Sequence, residues 1–325
     1  MEILVVGLGS MGKRRIRLIK QLFNNVKITG VDLDKVRRED ATEQFEIIAI
    51  ESLQSALQKS EYTAVFVCSA PLTHSDIIEN CLQHKINVFS EINLTDDNYD
   101  KLILLADKKK CKLFLSSTPM YRNEIRYITE KIQSQAKLLS YVYHVGQYLP
   151  DWHPWENYED FFVNDKRTNG CREIFAIELG WIMNAFGNIT SVSTVKSKNS
   201  TLNIDYYDSY IVTFIHATGH RGVMIVDVVS RMAVRKLEVI GEDLHLFWEG
   251  TPESLRDYDI ALKQVKPINT YEQIDYDVRY CSNIIENAYV EEIKEFFLYI
   301  ADESIPKYSF QKDKEILRII DIIEG

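Results

Sequence analysis

Residues 1–32 read MEILVVGLGSMGKRRIRLIKQLFNNVKITGVD, and this stretch decides the fold. Its apolar start, residues 2–6, has the continuous hydrophobic character of a strand buried in a parallel sheet. A glycine-rich turn, GLGSMG at residues 7–12, follows directly, and the residues after it have the pattern of a helix that reaches about residue 23. The pattern predicts a strand, a tight turn and a helix, the first unit of a doubly wound sheet.

The glycines of this turn each meet a different steric demand. Gly7 permits the tight turn, Gly9 lets the backbone approach a diphosphate, and Gly12 lets the helix lie close to the strand. The first N–H groups of the helix, at Ser10 and Met11, have no acceptor within the helix, and the helix dipole adds partial positive charge there. We therefore expect these five residues to bind the diphosphate of a dinucleotide. The alternative is a glycine turn of another α/β fold without a ligand.

Asp32 indicates which dinucleotide is bound. It ends the second predicted strand, residues 26–31, twenty positions after Gly12, where a carboxylate can accept hydrogen bonds from both ribose hydroxyls. The same charge would repel the 2′-phosphate of NADP, so NAD is favoured over NADP. Three cations follow on the next predicted helix, where solvated charge is the commoner explanation: Lys35, Arg37 and Arg38.

Length and charge restrict the class of protein. A chain of 325 residues is long enough for two domains, each with its own core. The net charge of −10 is spread along the chain without a basic stripe, which argues against nucleic acid and anionic membranes as partners. The sequence has no signal-peptide pattern and no apolar run of membrane-spanning length, so we expect a cytoplasmic protein.

Cysteine and histidine spacing argues against a metal site. The five cysteines are odd in number, widely spaced and without a CxxC pair, which disfavours a disulfide frame or structural zinc. His216 and His220 flank Gly219 in a predicted turn, and no carboxylate joins them at ligand spacing. We expect no bound metal.

Strand and helix patterns alternate through residues 1–120, which predicts an α/β domain with a parallel, doubly wound Rossmann sheet. After the first strand and helix, the predicted strands are residues 26–31, 47–50, 63–67, 86–89 and 112–115, and the predicted helices are residues 53–59, 72–84 and 96–109.

Residues 121–325 contain long strands joined by tight turns, which predict an α+β domain with a large, mostly antiparallel open sheet. Helices cover one face of such a sheet, and the other face is free to cover a ligand or a second subunit. The predicted strands are residues 137–149, 190–196, 208–217, 221–230, 233–240 and 244–248, and the predicted helices are residues 123–133, 172–186, 290–301 and 311–323.

With this organisation, the chain resembles the glucose-fructose oxidoreductase and inositol dehydrogenase family over essentially its full length. Residues 68–74, CSAPLTH, resemble the family's segment after its fourth strand, and residues 81–91 resemble the helix and strand before its Glu-Lys-Pro motif. Residues 288–303 and 309–323 resemble its closing helices. Residues 147–158, QYLPDWHPWENY, are similar to a branch often associated with bacterial surface-glycan gene clusters.

The resemblance implies an NAD-dependent oxidoreductase that acts on a sugar or sugar derivative. The protein would orient the reactants and supply a proton path, whereas the hydride chemistry belongs to the cofactor. The resemblance also implies cofactor contacts at Ser69, Ala70, Pro71, His74 and Glu91.

Two family residues that support the chemistry are missing. The family's Glu-Lys-Pro lysine holds the substrate oxygen, but this chain reads Glu91-Ile92-Asn93. A helix of the family's second domain carries a histidine where this chain has Ile177, and only Glu178 of that motif remains. Isoleucine can neither donate a hydrogen bond nor move a proton. A nucleotide-binding member without catalysis, regulatory or a pseudoenzyme, is therefore the alternative to an enzyme.

The remaining polar side chains supply candidates for proton transfer and substrate binding. His153 lies in an aromatic loop and is suited to titrate near neutral pH, although a structural histidine also fits this loop. Arg172 starts a predicted helix, where a cation gains nothing from the dipole. Glu178 is either catalytic or paired within the protein. The catalytic candidates are His153, Tyr121 and Glu178, and the substrate-binding candidates are Arg122, Lys166, Arg167 and Arg172, of which Lys166 and Arg167 also fit a solvated loop.

The open sheet predicts an oligomer. A monomer would expose strands such as residues 210–214, YIVTF, on a broad apolar surface. We therefore expect a homodimer or homotetramer that forms through the C-terminal sheet.

Overall fold

The computed structural model describes residues 1–153, 156–277, 279 and 283–325. The chain forms two compact units: Met1–Ser117 with Tyr289–Lys314, and Thr118–Ala288 with Glu315–Gly325. The first change of unit falls close to the predicted boundary at residue 120. Residues 289–314, which the sequence analysis assigned to the second domain, group instead with the first unit.

The first unit contains a six-stranded parallel sheet. Its order, β3-β2-β1-β4-β5-β6, is that of a doubly wound dinucleotide-binding fold, so the predicted fold of this part is confirmed. The strands are β1 (Glu2–Val6), β2 (Lys27–Val31), β3 (Ile48–Ile50), β4 (Ala64–Val67), β5 (Asn87–Ser90) and β6 (Leu113–Leu115).

Five helices connect these strands, and a capping side chain fixes where the second of them begins. The Asp34 carboxylate accepts hydrogen bonds from the backbone N–H groups of Val36 and Arg37 and so caps the second helix. The fourth helix begins at His74, after a short 3-10 turn. The helices are α1 (Ser10–Leu22), α2 (Lys35–Phe45), α3 (Leu53–Lys59), α4 (His74–Gln83) and α5 (Tyr99–Lys109).

Aromatic packing explains why the late segment belongs to the first unit. The ring of Phe296 lies 5.5 Å from that of Phe66 in β4 and 5.4 Å from that of Phe89 in β5, measured between centroids. All three side chains are fully buried. Burying aromatic area of this kind contributes a large part of the stability of a core.

The second unit is built on an eight-stranded sheet of order β14-β13-β12-β11-β7-β10-β9-β8. All neighbouring strands are antiparallel except β7 and β10, which confirms the predicted mostly antiparallel sheet. The strands are β7 (Ser140–Gly146), β8 (Ile189–Ser197), β9 (Ser209–His216), β10 (Arg221–Asp227), β11 (Val234–Ile240), β12 (His245–Trp248), β13 (Arg256–Asp259) and β14 (Gln264–Pro267). The other α-helices of the described residues are α6 (Asn123–Gln133), α7 (Gly170–Phe186), α8 (Glu286–Ile300) and α9 (Phe310–Glu324).

The two faces of this sheet differ in exposure. Its strands alternate, so that one set of side chains is buried, including Tyr210, Val212 and Phe214 of β9. The opposite face carries apolar side chains that are about half exposed in the isolated chain: Val142, Val195, Ile211 and Ile215 are 43%, 69%, 48% and 45% exposed. An apolar surface of this kind on a single chain is typical of an interaction surface.

Candidate functional site

In the glycine-rich turn between β1 and α1, a side chain would collide with the backbone at two glycines, called closed positions, and would fit at the third, the open position. Gly7 has φ +93°, and a Cβ there would lie 2.6 Å from the backbone carbonyl of Cys68. A Cβ at Gly12 would lie 1.9 Å from the carbonyl oxygen of Gly7. A Cβ at Gly9 would meet only Arg37 Nη1, at 3.8 Å. The fold therefore requires glycine at the first and third positions, whereas the space above Gly9 is available to a ligand.

Asp32 holds this turn from the end of β2. Its Oδ2 accepts a hydrogen bond of 2.7 Å from the N–H of Leu8, and its Oδ1 accepts one of 2.9 Å from the N–H of Asp34. A carboxylate has about four acceptor positions, so each oxygen retains capacity for a ribose hydroxyl. The carboxylate thus both orders the turn and presents negative charge beside it.

The cations after Asp32 are placed differently from one another. Arg38 Nη1 donates to the carbonyl oxygens of Asp32 and Leu33, at 2.8 and 2.9 Å, and its side chain is only 17% exposed. Arg38 is therefore not simply a solvated charge. Arg37 is 47% exposed, and its guanidinium is the group closest to the open position at Gly9.

His74 links the segments that follow β4 and β5. Its Nε2 lies 2.9 Å from the carbonyl oxygen of Ser69, which can only accept, so Nε2 carries a proton. Its Nδ1 lies 2.6 Å from the side-chain oxygen Oδ1 of Asn93. Burial lowers the pKa of His74. These contacts position the turn that contains Ala70 and Pro71.

Glu91 belongs to a buried charge cluster that sequence analysis missed. The guanidinium of Arg15, in α1, donates to the carboxylates of Glu91 and Glu292. Glu292 also accepts from the hydroxyl of Ser116 at 3.0 Å and the N–H of Ser117 at 2.7 Å. Burial raises the pKa of Glu292. The sequence signal that could have indicated this cluster is the presence of charged residues, such as Arg15 and Glu292, within helices whose pattern is otherwise apolar.

Glu178, a catalytic candidate, has both carboxylate oxygens engaged. Oε2 accepts from the hydroxyl of Tyr143 at 2.6 Å and from Nε1 of Trp181 at 2.7 Å. Oε1 accepts from Arg235 Nη2 at 2.7 Å. The side chain is buried. These contacts correspond to internal pairing, and a catalytic role for Glu178 stays a prediction.

Arg122, a substrate-binding candidate, donates to acceptors of the protein itself. It pairs with the buried Glu124 and donates to the carbonyl oxygens of Gly250 and Asn283, at 2.8 and 2.9 Å. The neighbouring Tyr121 is buried at the end of a short 3-10 turn. Contacts of either residue with a substrate stay predictions.

The three basic residues near Gly170 do not share one environment. Lys166 and Arg167 are exposed. Arg172 is buried in the first turn of α7, where it pairs with Asp321 at 2.8 Å and with Glu324, both in α9. These ion pairs explain why a cation occupies the first turn of this helix, where the helix dipole does not favour it. Substrate binding by these basic residues stays a prediction.

His153 lies against the ring of Phe161, with 4.4 Å between ring centroids, and its Nδ1 lies 3.6 Å from Glu156 Oε2. Burial lowers the pKa of His153, so the imidazole is neutral at pH 7 and can accept a proton. Pro154 and Trp155, in the same aromatic loop, lie outside the described residues. The proton-transfer role of His153 stays a prediction.

In the described part of the chain, no three His, Cys, Asp or Glu side chains are grouped so that they could hold a metal ion. His216 and His220 have structural contacts: His216 lies between the Gly187 carbonyl oxygen and the Tyr141 hydroxyl, and His220 Nδ1 accepts from the Leu139 N–H.

Among the described helices, none has the length and apolar composition needed to cross a membrane.

The parallel sheet and its glycine turn define a dinucleotide-binding Rossmann unit. Residues 1–117 match the family described as "Oxidoreductase family, NAD-binding Rossmann fold". Inositol 2-dehydrogenase from Renibacterium salmoninarum is 29% identical over 98 residues, a match that spans 30% of this chain and 30% of that protein. The resemblance noted from the sequence is thereby confirmed.

Solved structures resemble nearly the whole chain. UDP-N-acetylglucosamine 3-dehydrogenase from Acidithiobacillus ferrooxidans superposes with a TM-score of 0.78 at 14% identity, covering 100% of this chain and 96% of that one. Biliverdin reductase from Synechocystis sp. PCC 6803, in complex with biliverdin and NADP⁺, gives a TM-score of 0.75 at 14% identity, covering 99% and 97%. At these identities the likeness shows a shared fold.

Substitutions in the glycine turn separate binding from folding. Gly9→Val should lower NAD affinity about a hundredfold or more, equivalent to about 3 kcal/mol, because its side chain fills the open space above the turn. Its melting temperature should stay near that of the wild type. Gly12→Ala should instead destabilise the protein by about 1–3 kcal/mol, because its Cβ collides with the Gly7 carbonyl. Calorimetric titration measures the NAD affinity of each variant, and thermal unfolding measures its stability. Unchanged NAD affinity in Gly9→Val would exclude this turn as the cofactor site.

Asp32→Asn should weaken NAD binding about tenfold, because a charged acceptor for the ribose hydroxyls is lost. It should also reduce the preference for NAD over NADP, because the repulsion of the 2′-phosphate is lost. The matched control is Glu39→Gln, which removes one exposed negative charge from α2. Titrations of each variant with both dinucleotides give the comparison. If Asp32→Asn keeps the wild-type preference, Asp32 does not contact the ribose.

Proposed function

We propose that this protein is an NAD-dependent oxidoreductase that transfers hydride between the nicotinamide and a hydroxyl-bearing carbon of a sugar or sugar derivative. The observation that carries the proposal is the turn over residues 7–12, closed at Gly7 and Gly12 and open at Gly9, with the Asp32 carboxylate beside it. The match of residues 1–117 to an NAD-binding oxidoreductase family supports it. The sugar class is supported by relatives named for inositol and UDP-N-acetylglucosamine oxidation.

The residues of the first unit suit this cofactor. The N–H groups of Ser10 and Met11 begin α1 and would bind the diphosphate, and Asp32 would bind the adenine ribose. Ser69 and the turn after it, fixed by His74, would line the nicotinamide. When bound, NAD supplies the hydride acceptor, and the protein supplies orientation and a proton path.

NAD is proposed over NADP because of the charge of Asp32. A structural relative binds NADP⁺, and Arg37 lies beside the glycine turn, so the preference requires titration with both dinucleotides. We also propose a cytoplasmic location and, from the similarity at residues 147–158, a role in surface-glycan sugar synthesis.

A nucleotide-binding protein without catalysis is the second candidate. Ile92 and Ile177 occupy the positions of the family lysine and histidine. In addition, Glu178 and Arg122 make hydrogen bonds to groups of the protein itself. If the chain is an enzyme, His153 and Tyr121 are the other candidates for proton transfer that the sequence predicts.

Purified protein should bind NAD⁺ in calorimetric titration and produce NADH with at least one member of a panel of myo-inositol, D-glucose and UDP-N-acetylglucosamine. The Gly9→Val variant is the matched control, since it should fold without binding the cofactor. NAD⁺ binding with no turnover of any panel member would favour the non-catalytic candidate. Failure to bind either NAD⁺ or NADP⁺ would contradict both candidates.

We propose that the open face of the eight-stranded sheet joins copies of this chain in a homodimer or homotetramer. Light scattering at micromolar concentration should give a multiple of the 37.8 kDa chain mass. Ile211→Glu should shift the mass toward the monomer, because it buries a charge in the interface. Leu104→Glu, at a residue 69% exposed in α5, is the control and should not. A monomer mass for the wild type would overturn the proposal.

A further inference from the structure

The turn that follows β4, residues 68–73, is called here the β4 turn, and it packs against the glycine-rich turn that follows β1. A Cβ at Gly7 would lie 2.6 Å from the backbone carbonyl of Cys68. In the first unit's sheet, β1 lies between β2 and β4, so Asp32 and the β4 turn flank the end of β1 on opposite sides. The strand order reverses between β1 and β4, which is where a sheet of this type binds its ligand.

This arrangement assigns the two halves of a dinucleotide to different segments. Such a sheet consists of two halves, and each half binds one mononucleotide. If Asp32 binds the adenine ribose, as proposed above, the nicotinamide half lies on the side of β4. The position of the β4 turn should therefore affect the binding of the nicotinamide half and leave that of the adenosine half unchanged.

A cavity separates part of the β4 turn from the segment that follows β5. Pro71 and Leu72 line the cavity from the turn, and Asn93, Thr95 and Tyr99 line it from the other segment. Close packing restrains a loop strongly, and that packing is incomplete at this cavity. Hydrogen bonds between the two segments therefore carry more of the restraint on the turn.

His74 supplies these hydrogen bonds. Its Nε2 lies 2.9 Å from the carbonyl oxygen of Ser69, in the β4 turn, and its Nδ1 lies 2.6 Å from Asn93 Oδ1. The side chains of His74 and Asn93 are both buried. The hydroxyl of Ser90, the last residue of β5, lies 3.4 Å from Nδ1 and 3.5 Å from Oδ1. Because the imidazole ring is rigid, a contact that fixes Nδ1 also fixes the direction of Nε2 toward Ser69.

The amide of Asn93 suits this contact. It carries an acceptor and a donor on one small group, so it can pair with Nδ1 whether or not that nitrogen carries a proton. An apolar side chain at this position would leave a buried ring nitrogen without this partner, at a cost in free energy. The ring could then turn away from Ser69, and the β4 turn would lose its connection to the end of β5.

Resting on the proposed function, we propose that Asn93 is a positioning residue for the nicotinamide half of the cofactor. It acts through His74, which holds the β4 turn in place, and it need not touch the cofactor itself. The adenosine half depends on Gly9 and Asp32 instead. Substitutions at Asn93 and at Asp32 should therefore weaken the binding of different parts of the same ligand.

Calorimetric titrations with NAD⁺ and with ADP-ribose, which lacks the nicotinamide, separate the two halves. Asn93→Leu should weaken NAD⁺ binding about tenfold and change ADP-ribose binding by less than about twofold. His74→Leu should show the same difference between the ligands. The double variant should bind NAD⁺ no more weakly than either single variant, because both substitutions remove one interaction. Asn80→Leu, at an exposed position of α4, is the matched control and should bind both ligands normally.

A conservative variant distinguishes positioning from a general loss of stability. Asn93→Asp keeps an oxygen toward Nδ1, and a protonated imidazole can donate to it, so this variant should recover most of the NAD⁺ affinity. Thermal unfolding shows whether each variant is folded at the titration temperature. Asn93→Ser, whose side chain is shorter by one group, replaces Asn93→Leu if the latter is unfolded.

Hydrogen exchange measured by mass spectrometry tests the same contact without a ligand. Peptides that contain residues 69–73 should exchange faster in Asn93→Leu than in the wild type, because the β4 turn opens more often. Peptides that contain residues 7–12 should exchange at the wild-type rate. Equal exchange of residues 69–73 in the two proteins would show that Asn93 does not hold the turn.

The outcomes separate this proposal from the proposed function. Loss of NAD⁺ affinity in Asn93→Leu with retained ADP-ribose affinity, recovered in Asn93→Asp, supports the positioning role. Equal loss of affinity for both ligands in a folded Asn93→Leu, or no loss for either, overturns the role of Asn93 and leaves the proposed function intact. A wild type that binds neither NAD⁺ nor ADP-ribose overturns the proposed function and this role together.

Discussion

The close approach of α1 to the end of β1 is the constraint on which the first unit depends. Gly12 lies so near the Gly7 carbonyl that no side chain fits between them, and this contact aims the first turn of α1 at the space above Gly9. Further along the same helix, Arg15 joins Glu91 and Glu292 and thereby fixes α1 to the segments that follow β5 and β6. Two contacts therefore fix the first turn of α1, whose amides would bind a diphosphate: the packing of Gly12 against Gly7 and the ion pairs of Arg15.

The buried side chains of Arg15 and Glu178 pair with opposite charges, whereas Glu173 Oε2 has no hydrogen-bond donor among the described residues. Arg15 lies 4.5 Å from the centre of the Phe89 ring and pairs with two carboxylates, so removing one partner would cost about 3–5 kcal/mol. Glu178 is compensated in the same way by Arg235. Glu173 has no such compensation in the described part of the chain, although it lies in the same helix as Glu178. A buried carboxyl without a donor costs stability, because its hydration is lost without replacement.

Local patterns predicted most of the fold, because apolar periodicity and glycine turns act over a few residues. The parallel, doubly wound sheet and helix α6 followed from such signals, as did the glycine turn at Gly7 and Gly12 and the strand end at Asp32. Strands β13 and β14 escaped detection because they have four residues each and no apolar alternation. The charged contacts escaped detection for another reason: Arg15 and Glu292 are 277 positions apart, and Arg172 and Glu324 are 152 apart. No local pattern reports such pairs, so candidate side chains that read as free for a substrate are engaged by distant partners.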